Sequence, residues 1–243
     1  MKKLEGRVAL ITGAGSGIGR GIARAFAKEG AKLVLTGRSR DRLDPAAEET
    51  KGLGAEVLVH PADVTDASQV EGLFAAATER FGRLDLLVNN AGAFNGGPLD
   101  TLSIEDWDHV IAVNLRAPFL CTRAALQIMR PQGIGRIINI GSISAQRVRE
   151  NSAPYSTSKH GLWGLTQVTA LEGREYGVTC CCLHPGNTLV ERRQDSGSAW
   201  DDEPMMTTDE LAEVALTMAA LPPHVEMLEA IVLPAKQLYV GRG

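Results

Sequence analysis

The sequence predicts an α/β domain: a doubly wound parallel sheet of about seven strands with helices on both faces. Apolar runs rich in Val, Ile and Leu recur at Val8 to Thr12, Lys32 to Thr36, Glu56 to His60, Leu84 to Val88, Arg136 to Ile140, Val178 to Leu183 and Ala230 to Leu233. Such runs do not alternate with polar residues, so they read as strands buried on both faces. Helical stretches of about ten residues or more separate them, which is the crossover a parallel pair needs. No Pro/Gly/Ser-rich linker, low-complexity tract or repeat divides the 243 residues, and 44% hydrophobic content suffices for one core, so residues 1–243 read as a single domain.

The first strand runs into Thr12-Gly13-Ala14-Gly15-Ser16-Gly17-Ile18-Gly19, and a helix follows from about Arg20 to Lys28. Glycines permit a tight turn and close approach of the backbone to a pyrophosphate, while the helix start offers unpaired N–H groups and a partial positive charge. A mononucleotide phosphate loop would close on Gly-Lys-Ser/Thr, but Gly19 is followed by Arg20 and Gly21. The order strand, glycine turn, helix therefore predicts a Rossmann-type dinucleotide site. An acid at the end of the second strand would grip the ribose hydroxyls of NAD(H). Here the strand ends Thr36-Gly37-Arg38-Ser39-Arg40, with no acid at Gly37 and with Arg38 able to fork onto a phosphate. Asp41 reads as a residue of the next helix start, and the bland alternative for Arg38 and Arg40 is solvated surface charge.

Three further segments carry chemistry. Asp63-Val64 follows the third strand and Asn89-Asn90-Ala91-Gly92 the fourth. The fifth strand ends Ile138-Asn139-Ile140-Gly141-Ser142, and Tyr155-Ser156-Thr157-Ser158-Lys159 then opens a long helical pattern reaching about Tyr176. Spacing of four puts Tyr155 and Lys159 on one helix face, one turn apart. An ammonium beside a phenol favours the phenolate, which makes the pair a tunable acid/base.

Together these motifs resemble the short-chain dehydrogenase/reductase family, in its subfamily with TGxxxGxG and YxxxK signatures. The resemblance implies an NADP(H)-dependent oxidoreductase acting on a small-molecule carbonyl or alcohol. It gives Tyr155 the proton exchange with the substrate oxygen and gives Lys159 the lowering of the Tyr pKa and the nicotinamide ribose. Ser142 orients the substrate oxygen, and Asn114 anchors a water in a proton relay. It implies cofactor contacts at Gly13, Ser16, Gly17, Ile18, Gly19, Arg38, Asp63, Val64, Asn90, Ala91 and Gly92, and again at Pro185, Gly186 and Thr188. The segment after Pro185-Gly186 departs from the family pattern, because Val190 stands where Thr is usual. His184, where relatives often carry Asn, reads as structural. The ending Ala230-Ile231-Val232-Leu233-Pro234-Ala235-Lys236-Gln237 is closer to broad carbonyl and hydroxy-acid reductases than to 3-oxoacyl thioester reductases. That thioester activity and a non-catalytic NADP-binding sensor are the alternatives.

The expected substrate pocket is lined by Phe94 to Leu99, Ile143 to Asn151 and an acidic lid at about 189–206 that includes Trp200 and Asp201-Asp202-Glu203. Gln146, Arg147 and Arg149 suit a polar or anionic substrate; Phe94, Val148 and Trp200 suit an apolar one. A net charge of −4 offers no basic excess for nucleic acid or an acidic membrane. The N-terminal apolar run is broken by Gly13, Gly15, Gly17 and Gly19, so it is no signal peptide, and no stretch approaches the roughly 18 apolar residues of a membrane span. Cys121 and the consecutive Cys180, Cys181 and Cys182 fit reduced, buried thiols of a cytoplasmic protein rather than disulfides or a metal site. Family resemblance also implies a homodimer or homotetramer, with the helices carrying Asn114 and Tyr155 at the interfaces.

Overall fold

The computed structural model describes residues 2–191 and 203–239. The chain alternates strand and helix from its start. β1 (Val8–Thr12) leads into α1 (Gly17–Lys28), β2 (Lys32–Thr36) into α2 (Arg40–Gly52), and the short β3 (Val57–Val59) into α3 (Ala67–Phe81). After β4 (Leu86–Asn89) come α4 (Ile104–Ile111), a π-helical turn at Ala112–Arg116 and α5 (Ala117–Gln132), running on as one helical rod. β5 (Gly135–Ile140) precedes α6 (Ala153–Gly173), and β6 (Val178–Pro185), α7 (Thr208–Ala220) and β7 (Glu229–Val232) complete the fold.

The seven strands form one sheet in the order β3-β2-β1-β4-β5-β6-β7. Every pairing is parallel. This is the doubly wound, single-domain Rossmann-type architecture, with helices on both faces. Successive residues of a strand point to opposite sides, so each strand feeds two cores. Ile11, Leu33, Leu35 and Leu183 pack under α1, α2 and α7 with Ile22, Phe26, Leu43 and Leu211. Leu10, Val34, Leu87 and Ile137 pack on the other side with Leu73 and Phe74 of α3 and Cys121 and Met129 of α5.

The strand bounds differ from expectation where local side chains intervene. β4 starts at Leu86 rather than Leu84, because Gln132 holds the Leu84 N–H (3.0 Å) and carbonyl (2.8 Å). Asp85 beside it receives Val8 N–H (2.8 Å) and the Arg83 guanidinium. β3 keeps three residues of the expected Glu56 to His60, pairing with β2 alone at the sheet edge. β6 extends past Leu183 because His184 and Pro185 register with Ile231 and Val232 of β7. The α1 helix begins at Gly17, earlier than the expected Arg20. The helix carrying Tyr155 ends at Gly173 and tightens into a 3₁₀ turn over Arg174–Tyr176. All four cysteines are free and buried, and burial pushes the Cys121 thiol up to about 12. No helix among the described residues is long and apolar enough to cross a membrane.

Buried amides tie the middle of the sheet to two helices. Asn89 Nδ2 donates to Asn139 Oδ1 (2.8 Å) and to Thr122 of α5 (3.2 Å), while Asn139 Nδ2 donates to Thr166 of α6 (2.9 Å). Thr166 lies two helical turns beyond Lys159, so the Asn139 contact helps to fix the rotation of the helix bearing Tyr155 and Lys159. Asn139→Ala deletes its buried hydrogen bonds to Asn89, Thr166 and Cys180 Sγ and is expected to cost about 1–3 kcal/mol of stability, read from urea unfolding. A loss below about 0.5 kcal/mol would mean that the network holds nothing.

Candidate active site

β1 and β4 are neighbours, yet the chain leaves them in opposite directions across the sheet, toward β2 and toward β5. That reversal opens a crevice at the carboxyl ends of the strands, the usual ligand position in such sheets. The glycine turn and the Asn-Asn-Ala-Gly segment face each other across it. Asn90 Nδ2 donates to the carbonyls of Thr12 (2.9 Å) and Gly13 (3.2 Å). Thr12 Oγ1 in turn accepts the N–H groups of Asn90 (2.9 Å) and Ala91 (3.0 Å). Gly19 lets this happen: a Cβ there would fall 2.4 Å from Asn90 Nδ2 and 2.5 Å from the Gly13 carbonyl. Gly13 and Gly17 adopt φ of +63° and +52°, a region that favours glycine.

A groove runs from this turn to the end of β5 and is lined by Gly13, Ser16, Gly17, Ile18, Asn90, Ala91, Gly92, Ser142, Tyr155, Lys159, Pro185, Gly186 and Thr188. Most residues singled out in the sequence therefore meet in one place. Gly19 lies buried beneath the groove and Asn114 is buried close to Gly92 and Ala93. Arg38, Asp63 and Val64 are not among the lining residues. Arg38 is exposed, and Val64 is buried in the core. Burial raises the Asp63 carboxyl, but hydrogen bonds from Thr65 and the charge of Arg38 outweigh this and lower it overall.

Some groove residues were not legible in sequence. Arg42 lies against Gly15, where a Cβ would sit 2.9 Å from its own, and lines the groove with Arg20 and Asp41. The signal was the helix start after β2, which must face the glycine turn of the neighbouring strand. Lys236, Gln237, Leu238 and Tyr239 line the opposite end. Gln237 Oε1 accepts the Asn187 N–H (2.8 Å), and Tyr239 Oη donates to Gln146 (2.6 Å). Because β7 pairs beside β6, the tail emerges next to the Pro185-Gly186 turn, a placement that only the sheet order reveals.

The residues fit a dinucleotide. Gly13, Gly15, Gly17 and Gly19 bring no side chains of their own to the turn, and the Gly17 N–H at the start of α1 already donates to an anion, the Glu191 carboxylate, at 2.9 and 3.2 Å. At the other end, Lys159 is buried and its Nζ donates to the Ile140 carbonyl (2.8 Å), lying 5.6 Å from the centre of the Tyr155 ring. The Tyr155 ring meets Phe94 edge-on at 4.9 Å, and the Arg149 guanidinium stacks 5.0 Å from the other ring. Ser142 Oγ accepts the Ser144 N–H (3.1 Å). The Asn114 side chain is committed elsewhere: Oδ1 accepts the Ala93 N–H (2.8 Å), while Nδ2 donates to the Ala93 carbonyl (2.9 Å) and Ser158 Oγ (3.2 Å). It pins the loop after β4 to α6 from within the π turn, an interruption frequent at functional sites.

Thr188 is buried and its hydroxyl turns back to the Gly186 carbonyl (3.2 Å), while Val190 packs toward Gly17. Of the expected lid, residues 192–202 with Trp200 lie outside the described residues. Its flanks pair with each other, Leu189 N–H donating to Met206 (2.8 Å) and Met206 N–H to Asn187 (3.0 Å).

Comparison with known proteins agrees with this geometry. A family model described as short chain dehydrogenase matches residues 7–200. The chain is 42% identical over 186 residues to a D-beta-hydroxybutyrate dehydrogenase of Rhizobium meliloti (strain 1021), covering 76% of this chain and 72% of that protein. It is 40% identical over 212 residues to a levodione reductase of Leifsonia aquatica, covering 86% and 79%. A metagenomic short-chain oxidoreductase, solved in complex with NADP, superposes with a TM-score of 0.85 at 34% identity, covering 97% of this chain and 100% of that one. The chain thus belongs to the short-chain dehydrogenase/reductase family. It is an oxidoreductase of the kind that interconverts CH–OH and C=O groups.

His184 stands directly behind this site. Its ring is fully buried, with Nδ1 2.9 Å from the Ser142 carbonyl and the ring 5.7 Å from that of Trp163. Burial lowers its pKa, against the opposing pull of the Ser142 hydrogen bond and the Glu229 charge. Below the unfolded value of about 6.5, the unfolded chain therefore binds a proton that the folded chain refuses. Stability is full above that pH and falls as pH drops from it toward the folded value, by at most about 1.4 kcal/mol per pH unit. Urea unfolding at several pH values should show a shallower acid slope in His184→Asn; an unchanged slope would remove His184 from the cause.

Proposed function

We propose that this protein is an NADP(H)-dependent carbonyl/alcohol oxidoreductase in which Tyr155 is the acid/base. The observation that carries the reading is the opening of Tyr155, Lys159 and Ser142 onto the same groove as the glycine turn. Gly13, Ser16, Gly17, Ile18 and Gly19 would hold the pyrophosphate, with Asn90, Ala91 and Gly92 against the adenosine ribose. Pro185, Gly186 and Thr188 would hold the nicotinamide end, and Asp63 and Val64 the adenine. When bound, the nicotinamide supplies or accepts the hydride.

The chain's own residues manage the proton. Tyr155 gives its hydroxyl proton to the carbonyl oxygen in reduction and takes it back in oxidation. Lys159, fixed by the Ile140 carbonyl, sets its ammonium beside the Tyr155 ring and would hold the nicotinamide ribose. Ser142 orients the substrate oxygen. Asn114 serves the relay behind Lys159 through the backbone of its π turn, since its amide already braces Ala93 and Ser158.

NADP(H) is preferred over NAD(H) on the strength of Arg38 and of a related structure holding NADP. Arg42, beside Gly15, adds a second guanidinium at that end. Relatives named for hydroxybutyrate and levodione support a small hydroxy or keto compound over a 3-oxoacyl thioester. Exposed Phe119 of α5 and Val168 and Leu171 of α6 support helix faces that pair in a homodimer or homotetramer. Four buried free thiols suit a cytoplasmic setting.

A panel of ketones, aldehydes and 3-oxoacyl thioesters, followed by loss of nicotinamide absorbance, tests the reading. NADPH should outperform NADH in kcat/KM. Tyr155→Phe should bind NADPH as the parent does and lose about 10²–10⁴ in turnover. Undiminished turnover in that variant would remove the proposed acid, and NADPH binding without turnover of any substrate would favour the sensor.

A further inference from the structure

The segment after Thr188, where the sequence departs from its family, occupies the start of α1. Glu191 reaches across 174 positions of sequence and takes the Gly17 N–H with both carboxylate oxygens, at 2.9 and 3.2 Å. Val190 beside it fills the space over Gly17, its Cγ1 lying 3.2 Å from where a Cβ would stand. The α1 helix brings no anion of its own: its first turn holds no acid, and the Ser16 side chain makes no capping hydrogen bond. Among the described residues Glu191 has no ion-pair partner either, so the described contacts of its carboxylate are with that backbone N–H.

We propose that Glu191 is an internal competitor for the pyrophosphate site, and that the cofactor enters only as Glu191 and Val190 withdraw. The proposal rests on reading the groove as a dinucleotide site. Two anions cannot share one N–H at a helix start, and a tethered carboxylate is present at high effective concentration without having to diffuse in. The segment has a place to pivot. Thr188 and Leu189 are held to Met206 through a β-bridge and the Leu189 N–H (2.8 Å). Val190 and Glu191 extend beyond that anchor to the turn. Displacing them leaves Thr188 in the groove, so cofactor entry and withdrawal of Val190 and Glu191 become one event.

An internal competitor has a kinetic signature that a structural acid or a cofactor ligand lacks. It slows association and leaves dissociation of the bound cofactor unaltered. Stopped-flow fluorescence with NADPH as the probe, on the full chain and on Glu191→Ala and Glu191→Gln, reads both rates. Glu191→Ala should associate about two- to fivefold faster, the size of one charge at a helix terminus, with unchanged dissociation and a correspondingly lower Kd. Glu191→Gln should fall between it and the parent. Unchanged association would overturn the proposal, and faster dissociation in Glu191→Ala would make Glu191 a ligand of the bound cofactor instead. NADPH binding to neither parent nor variant would defeat the dinucleotide reading itself, an outcome distinct from equal binding to both.

Discussion

The functional half of the structure depends on the clamp between Thr12 and Asn90. The hydroxyl of Thr12 takes two backbone N–H groups from the segment after β4, and the Asn90 amide returns two hydrogen bonds to the carbonyls after β1. The reversal of strand order would open a crevice here in any case, and this exchange ties together the two segments that line it. Two carbonyls at the mouth of a turn would otherwise point their negative ends toward an arriving phosphate. Bonded to Asn90, they are already engaged, and at the start of α1 the Gly17 N–H meets an anion, the Glu191 carboxylate.

At the far end the same economy of partners recurs. Lys159 is buried, which is costly for an ammonium unless it is hydrogen-bonded, and the Ile140 carbonyl at the end of β5 meets that need. Asn114 links the loop after β4 to α6, and Asn139 links β5 to the same helix. The helix carrying Tyr155 is thereby fixed against both strands that flank the groove. Ser142 is held from behind by His184, whose Nδ1 meets its carbonyl. Tyr155, Lys159 and Ser142 thus sit on elements that are tied together by buried side chains.

The fold was legible because parallel strands buried on both faces leave uninterrupted apolar runs, and Val8 to Thr12 and Lys32 to Thr36 are recovered residue for residue. Strand ends were less legible. Leu84 and Asp85 look like β4, yet Gln132, distant in sequence, takes the Leu84 backbone. The site was legible wherever chemistry requires a residue type at fixed spacing, as in the glycine turn and the Tyr155–Lys159 pair. It was illegible where placement comes from topology alone. Tyr239 and Lys236 carry no pattern and reach the groove because β7 lies next to β6. The π turn at Asn114 also left no mark, since its residues have ordinary helical composition.

The most direct test of the clamp is the NADPH affinity of Gly19→Ala, measured by fluorescence titration with circular dichroism as the control for folding. The added methyl would stand 2.4 Å from Asn90 Nδ2 and 2.5 Å from the Gly13 carbonyl, so it must push the clamp apart. Affinity should fall at least about tenfold while the helical and strand content stays native. Parent-like affinity in a folded Gly19→Ala protein would contradict the claim that this contact shapes the cofactor groove.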